Sequence, residues 1–132
     1  QHLNIRIKAL ETSHGVRQLS FVSSHDLPTL YAGAAVFAYP SLYEGFGLPV
    51  LEAMQSGVAT ICTADTSMAE FTQGSAVLVE RDNVEQLASQ LDDLLSNQQL
   101  RRSVAEAGLL RSREFSWKRC AQETLEIYRT VS

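Results

Sequence analysis

The sequence predicts an α/β layered domain on a parallel sheet, and three observations carry that expectation. Short apolar runs alternate with helix-compatible pieces as far as Glu80; the runs are rich in Val, Ile, Phe or Ala and poor in charge; and beyond Arg81 the pattern is wholly helical. Uncharged runs of this length suit strands buried on both faces, as crossover helices leave them in a parallel sheet.

The opening "LNIRIKAL" alternates like a strand at Leu3, Ile5 and Ile7 but fits a helix at Leu3, Ile7 and Leu10; helix is favoured, with Gly15 ending it. The strands are then "VRQLSFV" (Val16–Val22), "AAVFAYP" (Ala34–Pro40), "VATICTA" (Val58–Ala64) and "SAVLVE" (Ser75–Glu80), with helical pieces at Asp26–Gly33, Pro49–Ser56 and Ser67–Thr72. In "NVEQLASQLDDLL" the stripe is Val84, Leu87, Leu91, Leu94 and Leu95, and Asn83 or Asp82 can cap its start. A helix from Asn97 to about Ser112 would turn Leu100, Val104, Ala107 and Leu110 inward. The last opens at Ser116 as N-cap, with Phe115 and Cys120 at staple positions and Trp117, Ala121, Thr124 or Leu125, and Tyr128 inward.

Composition narrows the function classes. A chain of 132 residues, 45% hydrophobic, is one packed domain rather than two or a disordered tail. Eleven basic and fifteen acidic residues give a net charge of −4, which argues against nucleic acid or an anionic membrane as partner. No run is long enough to span a bilayer and no secretory pattern opens the chain, so a cytoplasmic, water-soluble protein is expected. Cys62 and Cys120, lacking any metal-ligand spacing, are expected as small buried thiols in a reducing compartment, with a disulfide between them the lesser expectation.

The stretch "PSLYEGFGLPVLEA", Pro40–Ala53, falls where a strand passes through a loop into a helix, with Pro49 fitting the N1 position and Gly57 the stop. Ligands of open α/β sheets bind beyond the carboxyl ends of strands. Gly45 and Gly47 would let main-chain N–H groups approach a ligand, and the helix behind them offers orphan donors and a positive dipole end, together a seat for phosphate. Glu52, placed in the first helical turn, could accept hydrogen bonds from neighbouring ribose hydroxyls; Glu44, on the loop, would face whatever lies beyond the phosphates. Singly, each has a plainer explanation: glycines that merely turn the chain, a glutamate that complements the dipole, an exposed carboxylate. Together, in the order strand, loop, helix, they favour a site.

"PSLYEGFGLPVLEAMQSG" resembles the E-x7-E signature of the glycosyl transferases group 1 family, with seven residues between Glu44 and Glu52. The resemblance extends through "VRQLSFVSSHDLPTLYAGAAVFAYPS", "AEFTQGSAVLVERDNVEQLASQLDDLL" and "FSWKRCAQETLEIY", covering nearly the whole chain, 1–132, as a single domain. It implies a Rossmann-like parallel sheet with flanking helices, part of the C-terminal, donor-binding domain of a GT-B glycosyltransferase. It implies the roles too: Glu44 as the catalytic carboxylate on the sugar's hydroxyls; the amides of Gly45, Phe46, Gly47 and Leu48 on the sugar and distal phosphate; Glu52 on the ribose; the backbone of Val22, Ser23 and Ser24 beside the base. Ser20 and Ala59 depart from the family's usual glycine and proline.

The expected activity is retaining transfer of a hexosyl unit from a nucleoside diphosphate sugar to an acceptor hydroxyl, with no cofactor and no metal. Glu80 and Asp82, an acidic pair before a helix, are read as capping residues, and His25 as a surface residue rather than a base. The family's Arg and Lys for the diphosphate are unmatched, which implies that the first strands and the N-terminal acceptor domain of the same enzyme are missing partners. In the strand order 3-2-1-4-5-6, losing strands 1 and 2 separates "VRQLSFV" from the other three. Another chain could supply them, the strand could add elsewhere, or the fragment could pair with itself. The isolated chain is therefore expected to be inactive; peripheral membrane association of a full enzyme stays open, as do a non-catalytic nucleotide-sugar-binding module and a related epimerase, the latter disfavoured by the E-x7-E stretch.

Overall fold

In the computed structural model, which describes residues 6–11 and 15–131, the sheet has three parallel strands, β1 (Val36–Tyr39), β2 (Ala59–Thr63) and β3 (Val77–Val79), in the order β1-β2-β3. Val36 pairs with Ala59 and Tyr39 with Cys62; Ile61 pairs with Val77 and Thr63 with Val79. The helices are α1 (residues 6–11), α2 (Leu27–Ala32), α3 (Leu48–Gln55), α4 (Ser67–Thr72), α5 (Val84–Ser96), α6 (Gln98–Ser112) and α7 (Trp117–Val131). The helical reading of the opening holds for residues 6–11; residues 1–5 lie outside the described residues. Gly15 has φ +68°, and the residues between it and the described end of this helix, 12–14, lie outside the described residues.

Strand alternation divides the core. Cys62 faces Val50, Leu51 and Met54 of α3 and Met68 and Phe71 of α4, with Phe37, Tyr39 and Leu78 packed alongside. Ala59, Ile61 and Val79 face the opposite way onto Leu94, with Val36, Ala38, Val77, Leu87, Leu91 and Val104. Both faces are therefore covered, which is why the strands read as unbroken apolar runs and why every residue of β2 is buried.

"VRQLSFV" forms no strand. Residues 16–22 are irregular and Phe21 is 84% exposed. The expected strand fails for a topological reason: β1 pairs with β2 alone, and no described strand lies between β1 and this segment to receive its ladder.

The helix caps follow the sequence more closely than the faces do. The Asn83 and Asn97 side chains accept from Gln86 N and Leu100 N at 3.0 Å each, and Ser116 Oγ accepts from Arg119 N at 3.1 Å. Glu80 and Asp82 do not cap α5; Glu80 Oε2 instead accepts from Asn83 Nδ2 at 3.2 Å. Only Leu87, Leu91 and Leu94 of the α5 stripe turn inward, while Val84 is 71% exposed and Leu95 is exposed.

On α6 the inward positions are Val104, Ala105, Gly108 and Ser112; Leu100, Ala107 and Leu110 face out. Gly108 sets this rotation, since a Cβ there would lie 3.3 Å from both Met54 Cγ and the Ser75 carbonyl oxygen, so the bare backbone is what lets α6 approach. None of α7 is buried: its expected stripe is exposed, Trp117 at 78%. The expected staple is absent as well, because Phe115 packs into the aromatic cluster of Phe46 and Phe71 and leaves Cys120 exposed.

Candidate functional site

Pro40 ends β1 and residues 41–46 form the loop that enters α3. Gly47 is the N-cap, with φ +97°, and a Cβ there would stand 2.5 Å from Met68 Cγ. Only glycine meets both demands. Gly45 has open space where a Cβ would be, so its bareness leaves the loop face accessible rather than relieving a clash. The helix begins one residue before the sequence suggested. Pro49 is its second residue rather than N1, and Glu52 its fifth, at the start of the second turn rather than in the first. At the far end Gly57 takes φ +72°; its N–H reaches the Met54 carbonyl and Val58 N–H the Ala53 carbonyl, a Schellman stop.

Both glutamates are held by tyrosines. Glu44 Oε1 accepts from Tyr39 Oη at 2.8 Å and from Ser41 Oγ at 2.9 Å, and Glu52 Oε2 accepts from Tyr31 Oη at 3.2 Å. Both donors meet one oxygen and leave Glu44 Oε2 available to a ligand hydroxyl. The hydrogen bond to Glu44 raises the Tyr39 phenol above its usual range, with burial second. Burial, then the charge of Glu52, pushes the Tyr31 phenol up to about 12, so both tyrosines are donors at neutral pH.

The loop backbone is braced by α4. Ser67 Oγ lies 2.9 Å from the Glu44 carbonyl oxygen and 3.2 Å from that of Phe46. The Phe46 ring stacks on Phe71 at 4.7 Å and meets Phe115 edge-on at 6.1 Å. Leu48, by contrast, is exposed at the head of α3. Among the described residues no acceptor is engaged by the main-chain N–H groups of Gly45, Phe46, Gly47 or Leu48. Arg111 supports the cluster from behind: its Nε donates to the Phe71 carbonyl at 2.7 Å, its guanidinium lies over the Phe115 ring and it pairs with Glu114.

Val22, Ser23 and Ser24 precede α2. Ser23 Oγ donates to Asp26 Oδ2 at 2.8 Å and accepts from Asp26 N at 3.2 Å, and the Ser23 carbonyl accepts from Leu27 N at 3.0 Å, so Ser23 shapes the turn into that helix. Tyr31 ties α2 to Glu52 and so joins this segment to the loop through one helix. His25 is a surface residue, 3.1 Å from Asp26. That contact and the Ser23 bond hold the Asp26 carboxyl below its ordinary range. The described residues contain no group of three or more His, Cys, Asp or Glu able to hold a metal, and no helix long and apolar enough to cross a membrane.

Tyr31, Tyr39, Ser41 and Ser67 were not foreseen from the sequence. Tyr39 and Ser41 stand close enough to Glu44 in "YPSLYE" to have been found as local donors; Tyr31 and Ser67 reach their partners across the fold and left no local signal.

The family model for "Glycosyl transferases group 1" matches residues 1–111. O-antigen chain mannosyltransferase B of Escherichia coli is 37% identical over 116 residues, covering 88% of this chain and 30% of that protein. Sucrose-phosphate synthase from Thermosynechococcus elongatus superposes with a TM-score of 0.86 at 25% identity, over 98% of this chain and 33% of that one. Anabaena Alr3699/HepE, solved in complex with UDP and glucose, gives 0.86 at 22% identity over 98% of this chain and 36% of that one, a likeness of fold. The chain thus spans about a third of the length of each of these three proteins.

Proposed function

Because the chain belongs to the glycosyl transferases group 1 family, we propose that it is the donor-binding part of a retaining glycosyltransferase that moves a hexosyl unit from a nucleoside diphosphate sugar to an acceptor hydroxyl. One observation carries the reading: Glu44 and Glu52, each held by a tyrosine hydroxyl, flank a run of four main-chain amides at the head of α3. In this reading the amides meet the distal phosphate and sugar, Glu44 Oε2 accepts from a sugar hydroxyl, Glu52 holds the ribose, and the Val22–Ser24 backbone lies beside the base. As the bond from the anomeric carbon to the phosphate oxygen breaks, charge grows on the departing diphosphate. Donors already fixed around it stabilise that charge without reorganising.

The relatives' names, a mannosyltransferase among them, support a hexosyl unit, and the UDP and glucose named with the Anabaena protein support a nucleotide sugar as ligand. The remaining two thirds of such an enzyme would supply the acceptor wall, the cations for the diphosphate and the strands that join residues 16–22 to the sheet. Calorimetric titration of the chain with UDP, GDP and ADP and with their glucose and mannose esters tests the reading. Saturable binding weakened by Glu52→Gln supports it; an absence of heat with every nucleotide sinks it.

A further inference from the structure

We propose that Ser67 is a positioning residue that aims the Gly45 and Gly47 N–H groups at the ligand by holding the carbonyls of Glu44 and Phe46 from behind. The inference rests on the donor-site reading and names the device that would set its geometry. In a trans peptide the C=O and the following N–H point in opposite directions across one rigid plane. Among the described residues no peptide bond is cis. Fixing the Glu44 oxygen on Ser67 at 2.9 Å therefore turns the Gly45 N–H away from α4, and fixing the Phe46 oxygen at 3.2 Å does the same for Gly47 N–H. Those two amides share a side because one hydroxyl gathers both carbonyls.

Neighbouring contacts fix other parts of the loop but not these planes. The Phe46 ring is placed by Phe71 and Phe115, and Gly47 Cα by Met68, yet a ring and a Cα leave the intervening peptides able to rotate. A hydroxyl has a single proton, so Ser67 donates to one carbonyl at a time, the Glu44 oxygen being the nearer. Alanine at this position would keep α4, whose first residue Ser67 is, and remove only the latch.

The test compares Ser67→Ala, Ser67→Thr and the parent chain by titration with UDP, GDP and ADP, and by carbonyl carbon shifts and backbone order parameters of residues 44–48 in NMR. Ser67→Ala should shift the Glu44 and Phe46 carbonyl resonances, lower the order of residues 45–47, and weaken nucleoside diphosphate binding about three- to tenfold, as expected for one lost hydrogen bond. Ser67→Thr, which keeps the hydroxyl, should restore all three while thermal midpoints stay close together. If Ser67→Ala does not fold, Ser67→Cys, a near-isosteric and weak donor, takes its place. Unchanged order and affinity in the Ala variant would overturn the latch with the donor reading intact. A parent chain that binds none of the three nucleotides would overturn the donor reading, and the carbonyl shifts would still decide the latch.

Discussion

Glu44 and Glu52 are eight positions apart, yet they meet different neighbours, and in the proposed donor site that difference would separate their roles. Glu52 lies on α3 against Tyr31, on the side of the segment entering α2; Glu44 lies on the loop against Tyr39 and Ser41. Glu52→Gln should weaken binding of a bare nucleoside diphosphate by roughly 1–3 kcal/mol, because the amide replaces one accepting oxygen with an NH2 donor and leaves a hydroxyl partner mismatched. Glu44→Gln should spare the bare nucleotide and weaken the nucleotide sugar. Titrating both variants with both ligands checks the pair, and equal losses for the two ligands in Glu44→Gln would remove its placement at the sugar. Gly47 is a question of stability. Its φ of +97° and the 2.5 Å gap to Met68 Cγ mean that Gly47→Ala should cost roughly 2–4 kcal/mol, part strain and part overpacking, read from a denaturant midpoint. The placement of Glu44 on the loop and of Gly47 at the helix start was legible because those arguments are local, while Glu52 falls one turn later than the sequence suggested. Tyr31 was not, because its contact with Glu52 exists only once α2 lies against α3.

At the scale of elements, what the sequence revealed depended on what each feature answers to. Caps at Asn83 and Ser116 satisfy backbone groups three residues away and were readable, whereas Asn97, read as the first residue of its helix, is the cap before it. Helix faces answer to whatever packs against them: α6 is turned by the close approach at Gly108, and α7 has nothing buried despite an amphipathic sequence. The two cysteines divide along the same line. Cys62 is buried within β2, and burial pushes its thiol up to about 11 from an ordinary 9.0; Cys120 is exposed on α7. A thiol reagent should therefore modify Cys120 in the native chain and reach Cys62 only on unfolding. Because the raised group is protonated in the fold when its unfolded counterpart has ionised, the stability it contributes is complete below about pH 9. That contribution is lost as pH climbs through about 11. Urea midpoints measured at about pH 8 and about pH 10.5 should fall further in the parent chain than in Cys62→Ala, in which this contribution is absent.

At the scale of the whole molecule, strand order and charge distribution point to the same dependence. The order β1-β2-β3 is one continuous half of a doubly wound sheet, and "VRQLSFV" stands apart from it, unpaired and exposed. Strand propensity was legible in that segment, but pairing is a property of neighbours and not of the segment itself. Charge behaves likewise: from Gln18 to Glu80 there is no Lys or Arg, so the strands and the loops that follow β1 and β2 lack one, and the loop after β3 carries Arg81 alone. Arg111, which reaches the loop's aromatic cluster through Phe115, is committed to Phe71 and Glu114. Sugar transfer needs an acceptor held opposite the donor and cations on the departing diphosphate. Holding the reactants together supplies on the order of 7–11 kcal/mol of such a barrier, much of it forfeited when only one wall is present. The chain alone should therefore bind a nucleoside diphosphate weakly through its amides and turn nothing over. Mixing the purified chain with nucleotide sugars and simple sugar acceptors, and following both nucleotide release and acceptor glycosylation, checks this. Sustained transfer by a monodisperse monomer would show that the loop at the head of α3 is sufficient without a second wall; nucleotide binding without release or transfer is the expected result.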